Sequence, residues 1–403
     1  NHTLNIAYYI PTQYTFCQMN SSLICLNGSK SAYMRHKSDL EFDNQFTIKY
    51  RLEVVFIPTW FVLGFPGNLI SIYIWTRYSM HHMVSSLYLA VLAVVDCLFF
   101  GRHLIWHLQS IYNIHTIKNH VMCHLFPMIN MVLQYLSPLL ILGFTVERFI
   151  SVCYPLYRRK LCTVERTKHV IVLIFIICFI LSLPQIYFYH YKNFLDLTDD
   201  CVDIVSWLMS QYELQFNSSS AKQQLQTDWR YHFFNMFNLI SESFIFIVIP
   251  FLILFLNIAV IVKLNQVHKF RRILTRNFSK KHEDRQLSAT ISLLSVSFFL
   301  IITSLPTSIV QMMKLDLTKD DTCLSDDEIR RDPAWKAYFL NKNIQVQIEM
   351  LSLTHYAANF YIYLCTCRQF REQFIRLFYQ SKNVPKCNQF SHQSNMSRLT
   401  LKT

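Results

Sequence analysis

Residues 170–183 read Val-Ile-Val-Leu-Ile-Phe-Ile-Ile-Cys-Phe-Ile-Leu-Ser-Leu, an uninterrupted apolar run whose only polar group is the hydroxyl of Ser182. Extended to 167–189, the segment reaches the roughly 20 residues a helix needs to cross a hydrocarbon core. Six more stretches of that kind lie on either side, at about 53–77, 85–108, 120–153, 232–264, 287–314 and 343–365. The last is the weakest, because Glu349, His355 and Asn359 interrupt it. A backbone in lipid has no water to bond to and must satisfy its own N–H and C=O groups, so segments this long form helices. The expected fold is therefore an all-α membrane protein, a bundle of seven transmembrane helices.

Composition agrees. Hydrophobic residues make up 52% of the 403 and charged residues only 16%, where a soluble domain carries about a quarter charged. The five glycines form no phosphate-cradling loop and no His-Glu-x-x-His pattern occurs, which counts against a nucleotidase or a metalloprotease. His81 and His82 are adjacent, point apart on a helix and have no third ligand nearby in sequence, so they read as a loop pair. The formal charge of +13 would suit nucleic acid, but the basic residues sit in short segments between apolar runs, so no nucleic-acid partner is expected.

Those segments set an orientation. Residues 154–168 hold Arg158, Arg159, Lys160, Arg166 and Lys168 against Glu165, and residues 265–286 are similarly basic. The positive-inside rule places both in the cytoplasm. The alternate loops are acidic, with Asp196, Asp199, Asp200 and Asp203 in one and Asp316, Asp320, Asp321, Asp326, Asp327 and Glu328 in another. Glycosylation sequons at Asn1, Asn20, Asn27 and Asn217 fall on the same side as the acids. The expected topology is multi-pass in the plasma membrane, with an extracellular amino end and a cytoplasmic carboxyl end.

Five cysteines fall on the outer side: Cys17, Cys25, Cys123, Cys201 and Cys323. A bridge from Cys123, at the outer end of the third span, to Cys201, in the loop before the fifth, would pin that loop over the bundle mouth. It would add about 2–4 kcal/mol. The remaining three leave Cys17–Cys25 and a bridge to Cys323 both open. The chain then divides into an extracellular glycosylated segment (1–52), the seven-span domain (53–365), a cytoplasmic amphipathic helix (366–380) and a disordered tail (381–403). The amphipathic helix rests on the stripe Phe370, Phe374, Leu377 and Phe378, which suits the inner lipid surface.

At the inner end of the third span the chain reads Glu147-Arg148-Phe149, continuing to Tyr154-Pro155-Leu156. Gly67-Asn68 occurs in the first span, Leu92-Ala93-Val94-Val95-Asp96 in the second, and Asn359-Phe360-Tyr361-Ile362-Tyr363 in the seventh. Cys123 stands 25 residues before Arg148, and Pro184, Pro250 and Pro306 mark spans four, five and six. In this order and spacing the motifs resemble those of rhodopsin-like G-protein-coupled receptors over about residues 53–380. The departures are Phe360 in place of the seventh-span proline and no Trp before Leu305-Pro306. These are similar to invertebrate peptide receptors of the FMRFamide/myosuppressin type and related nematode serpentine chemoreceptors.

The resemblance implies an activation switch of Asp96, Glu147, Arg148, Pro306, Asn359 and Tyr363, in which Glu147 restrains Arg148 at rest. It also implies a sodium- or water-linked polar centre of Asp96, Ser137 and Asn359. His355 and Tyr356 replace small polar residues of that centre, which counts against sodium itself; no other cofactor is expected. Ionisable groups at membrane depth face the bundle interior, so the ligand-binding candidates are Arg102, Trp106, Asn130, Gln134, Glu242, Gln311 and Glu349. Asn130 stands where amine receptors carry an Asp, which argues against an amine ligand. A cationic peptide, with Arg before an amidated aromatic terminus, suits Glu242 or Glu349. The expected function is thus a non-enzymatic receptor for an extracellular, amidated neuropeptide that promotes nucleotide exchange on a heterotrimeric G protein. A chemosensory receptor for small external molecules keeps the fold and changes the input. A transporter or channel is disfavoured by the absence of an internal repeat.

Overall fold

The computed structural model describes residues 46–77, 84–112, 120–193, 199–204, 207–208, 211, 218–274, 280–312, 331 and 333–382. Seven long helices run through it: Phe46–Thr76, Val84–Tyr112, His120–Cys153, Val164–Ser182, Trp229–Leu274 with one internal irregularity, Lys280–Met312 and Pro333–Thr366. Most outrun the apolar segments read from sequence, because helical hydrogen bonding does not stop where the lipid does. Among the described residues five are long and apolar enough to cross a membrane on those grounds alone. The sixth carries a shorter apolar stretch, Leu294–Thr307. The seventh owes its place to the bundle, where its polar residues are buried among the other helices: His355 and Asn359 are both enclosed.

The packing separates lipid-facing from core-facing helices. The fourth span is an uninterrupted apolar run in sequence, yet it buries little of itself, with Val172, Leu173, Phe175 and Ile180 all exposed. Exposed side chains of that kind are expected where lipid is the solvent. The second and third spans supply the core, with Leu92, Phe99, Tyr135 and Leu140 almost wholly enclosed. The first span comes close to its neighbours through glycine. A Cβ on Gly64 would lie 2.5 Å from ring atoms of Phe100 and 3.0 Å from the Cα of Ala357; one on Gly67 would lie 3.0 Å from Phe360. Phe360 thus fills the space that Gly67 leaves, and the seventh span is continuous through the position where the family pattern has proline.

Proline acts elsewhere. Pro184 has no N–H to donate, and the fourth span stops at Ser182 before a short helix, Pro184–Phe188. In the fifth span a π-helical turn at Phe244–Val248 precedes Pro250, and the Ile249 N–H reaches five residues back to the Phe244 carbonyl. Pro306 lies inside the sixth helix, whose Thr303 and Ser304 hydroxyls donate to the Phe299 and Leu300 carbonyls at 2.8 and 2.7 Å.

After Thr366 the chain turns at Cys367 into an eighth helix, Arg368–Lys382. Phe370 is fully buried, 5.3 Å from Trp75 and 5.6 Å from Tyr363 between ring centres, and Phe374 and Leu377 pack on the same core. Arg371 Nη1 donates to the Leu364 and Cys365 carbonyls at 3.2 and 2.5 Å, satisfying acceptors that the end of the seventh helix leaves open.

Candidate functional site

The third span, His120–Cys153, carries the Cys123–Cys201 bridge near its start and Arg148 near its finish. These define a disulfide end and a basic end. Three groups of polar residues lie between them.

Midway, Asp96 is fully buried and its Oδ2 accepts a 2.7 Å hydrogen bond from Asn359 Nδ2. Asn68 Nδ2 donates to the Tyr356 carbonyl at 2.9 Å, tying the first span to the seventh. His355 Nδ1 lies 2.9 Å from the Ser352 carbonyl, and its Nε2 lies 3.5 Å from Ser137 Oγ. A carbonyl only accepts, so the neutral ring carries its proton on Nδ1 and takes the Ser137 hydroxyl hydrogen on Nε2. Ser137 is thus directed at His355. Tyr356 stacks on Phe99 at 3.7 Å. Asp96 Oδ1 and the Tyr363 hydroxyl are buried with no hydrogen-bond partner among the described residues.

At the basic end, the Glu147 and Arg148 side chains converge on one serine of the second span. Arg148 Nη2 donates to Ser85 Oγ at 2.5 Å, and Ser85 Oγ donates to Glu147 Oε2 at 3.3 Å. Ser151, one turn on, donates to the other Glu147 oxygen at 3.3 Å. Among the described residues no ion pair joins Glu147 directly to Arg148; the link runs through the hydroxyl. The Arg148 guanidinium also lies 5.4 Å from the Phe144 ring centre, a cation–π contact. A short helix follows, Pro155–Leu161, with Arg158, Arg159 and Lys160 in its last turn. Partial burial raises the Cys162 thiol above its ordinary value.

At the disulfide end, the Arg102 guanidinium lies between two rings, 5.4 Å from Phe99 and 5.7 Å from Phe126. Asn130 Oδ1 is buried without a hydrogen-bond partner among the described residues. Gln134, Glu242 and Glu349 are half-buried. Tyr135 donates to Ser241 at 3.2 Å, beside Glu242. The fifth helix starts at Trp229, so Glu242 lies about 20 Å along it at 1.5 Å per residue. Trp106 and Gln311 lie on the second and sixth helices, and their side chains are outside the described residues. So are Asn1, Asn20, Asn27, Asn217, Cys17, Cys25 and Cys323.

Over this end lies an antiparallel hairpin, β1 (Tyr189–Asn193) and β2 (Asp199–Asp203), with Cys201 opposite Tyr191. The bridge to Cys123, with Cα atoms 5.4 Å apart, fastens it to the third span as expected. Phe188, Ile204, Leu208 and Leu225 form a small separate core above the bundle, with Phe234 and Phe237 of the fifth span packed on it. Asp228 caps the fifth span by accepting from the Arg230 amide at 2.7 Å, and it pairs with that guanidinium at 2.7–3.1 Å. Burial, with His124, Arg230 and His120 nearby, holds the His190 imidazole below its ordinary value.

Some participants were not apparent from sequence. Ser85 is one serine among many, and nothing in its neighbours signals that it faces the third span. The same holds for Tyr135 with Ser241, and for the histidines around the hairpin.

The sequence profile of the 7 transmembrane receptor (rhodopsin family) group matches residues 67–332. A growth hormone secretagogue receptor type 1 from Sus scrofa is 28% identical over 124 residues, covering 30% of this chain and 32% of that receptor. The Homo sapiens counterpart gives the same figures. An FMRFamide receptor from Drosophila melanogaster is 33% identical over 132 residues, covering 30% of this chain and 23% of that receptor. The matched stretch thus spans about a third or less of these relatives.

Proposed function

Because the chain belongs to the rhodopsin family of seven-transmembrane receptors, a family of multi-pass plasma-membrane receptors and not of enzymes, we propose that it is activated by an extracellular, amidated neuropeptide and promotes nucleotide exchange on a heterotrimeric G protein. In this reading the disulfide end faces outward and the basic end faces the cytosol, in line with the positive-inside rule. The observation that carries the peptide assignment is the pair of half-buried carboxylates, Glu242 and Glu349, below a hairpin fastened at the bundle mouth. A carboxylate at that depth suits a guanidinium, whose planar fork matches it in a bidentate pair. Arg102 and Asn130 present cationic and polar groups for an amidated terminus, with Gln134 one turn along the third span from Asn130. The name of the similar FMRFamide receptor, that of an amidated peptide, supports the reading.

The mechanism is a shift between two states of the bundle, driven by differential ligand affinity. Ligand contacts around the second, third and seventh spans bear on the Asp96–Asn359 bond, and Pro306 gives the sixth span a point at which to bend. At the cytosolic end the resting state holds Arg148 through Ser85 beside Glu147. Release of that hydroxyl frees the guanidinium for the G protein, and Tyr363 repacks near Trp75 and Phe370. Sodium fits the polar centre poorly: a hard cation takes oxygen ligands, and Ser137 is committed to His355. No step is routed through it.

The test is a library of amidated peptides on cells expressing the chain, read by second-messenger output. A response to peptides ending in Arg and an amidated aromatic is expected. Glu349→Gln or Glu242→Gln should weaken it about tenfold or more, and less for citrulline analogues. Silence across the library, with responses to small non-peptide molecules, would favour the chemosensory reading instead.

A further inference from the structure

On the outer surface of the bundle, toward its basic end, a crevice of about 290 Å³ runs between the third and fourth spans. Leu142, Val146 and Ile150 form one wall, Val170 and Ile174 the other, and Leu161 of the short helix adds to the lining. Gly143 deepens it: a Cβ there would lie 3.0 Å from Tyr88 Cε1 and 3.2 Å from Ile174 Cδ1, atoms of two residues that line the space. Val146, Leu161 and Val170 are exposed, so the crevice opens outward, where lipid is the solvent. Arg166, also exposed, stands on its rim. The proposed peptide pocket makes no use of it. We propose that the crevice is a binding site for an anionic phospholipid of the inner leaflet, with one acyl chain lying in it and the headgroup phosphate on Arg166.

Size and charge both select that occupant. The volume lies at the lower end of small-ligand pockets, roughly 300–1,000 Å³, enough for a single chain and too little for a whole lipid. Arg166 and Ile174 are eight residues apart on one helix, as are Leu142 and Ile150 on the other. At 1.5 Å per residue the walls are about 12 Å long, close to the roughly 15 Å that the chains of one leaflet span. Cations gather at the mouth. Arg158, Arg159 and Lys160 occupy the last turn of the helix that delivers Leu161, and Arg158 is close enough to bear on the Cys162 thiol. The acids nearby are engaged: Glu165 pairs with Lys168 at 3.4 Å, and Glu147 accepts from Ser85 and Ser151 at 3.3 Å each. A guanidinium meets a phosphate in a bidentate pair, whereas a sterol or a neutral phospholipid offers these cations no net charge.

The site rests on the orientation proposed above, which puts this end at the anionic cytoplasmic leaflet. Glu147 and Cys162 also line the crevice. Tyr88, another lining residue, stacks on Phe144 with ring centres 6.2 Å apart, and Phe144 is the ring that carries Arg148. An occupant therefore touches the residues around the Arg148 lock and couples its resting arrangement to the composition of the membrane.

The test uses the purified full chain in phosphatidylcholine nanodiscs doped with a photoactivatable lipid, either phosphatidylserine or phosphatidylcholine carrying a diazirine on its acyl chain. Both leaflets hold the probe, so the outcome depends neither on the orientation of the chain nor on any peptide. Labelling around Val146 and Ile150 should be several-fold greater with the phosphatidylserine probe, and should fall as salt is raised. Measured by competition with unlabelled phosphatidylserine, affinity should drop about fivefold in Arg166→Gln and be retained in Arg166→Lys. Val170→Trp, at an exposed position on the wall, should block labelling by both probes while melting as the wild type does. Equal labelling of the wild type by the two probes would overturn the proposal. So would displacement of the probe by cholesterol more readily than by phosphatidylserine, or an affinity unchanged in both Arg166→Gln and Val170→Trp.

Discussion

Two glycines in neighbouring helices offer the same substitution with opposite expected signs. Gly64 packs so closely that a Cβ would meet Phe100 Cε2 and Cζ at 2.5 Å and the backbone of Ala357 at 3.0 Å. A Cβ on Gly101 would meet nothing within 4 Å. Alanine is the better helix former by about 1 kcal/mol, so on propensity alone both Gly→Ala changes stabilise. At Gly64 overpacking costs about 1–3 kcal/mol, and the backbone contact cannot be relieved by turning a side chain. The net expectation is a loss of roughly 1–2 kcal/mol for Gly64→Ala and a gain of up to about 1 kcal/mol for Gly101→Ala. Phe100→Leu removes the two atoms in closest conflict, so in its background the Gly64→Ala penalty should shrink by roughly 1 kcal/mol. Melting curves of the four Gly64/Phe100 variants and of Gly101→Ala, in one detergent, decide the matter. A Gly64→Ala protein that melts at or above the wild type, or an unchanged penalty in Phe100→Leu, would refute the close approach of the first span to the second and seventh.

Further outcomes follow from the polar groups. Asn359→Ala removes the hydrogen-bond donor that the buried Asp96 carboxyl group has among the described residues and should cost about 1–3 kcal/mol; Asp96→Asn should cost less, which thermal melting can rank. Cys201→Ser opens a link between residues 78 apart in sequence and should lower stability by about 2–4 kcal/mol, with the hairpin becoming sensitive to protease before the bundle does. Ser85→Ala should keep surface expression and raise basal nucleotide exchange several-fold, because Arg148 loses its link to the second span. Unaltered basal exchange would remove Ser85 from the resting lock.

Much of the bundle was legible from sequence because lipid imposes a simple rule, and runs such as 170–183 obey it without help from neighbours. The Cys123–Cys201 pairing was legible because both thiols fall on one side of the predicted topology and match the family spacing. Less legible were features set by tertiary contact. The seventh helix is polar enough to look doubtful alone, and it becomes plausible only once Asn359 is seen to bond Asp96. Phe360 read as a departure from pattern, but its meaning lies in the gap left by Gly67, 293 positions away in sequence. The restraint of Arg148 by Glu147 was anticipated, but not the hydroxyl between them, which comes from a different helix.

The central claim is that an outward-facing ligand site drives Arg148 from Ser85 toward a G protein. The most direct measurement is guanine-nucleotide exchange on purified heterotrimer, catalysed by the chain in nanodiscs with and without an active amidated peptide, for wild type and Arg148→Ala. The account predicts peptide-dependent exchange by the wild type and its near loss in Arg148→Ala, with peptide binding retained. Equal exchange by both, or none by either in the presence of a bound peptide, would contradict it.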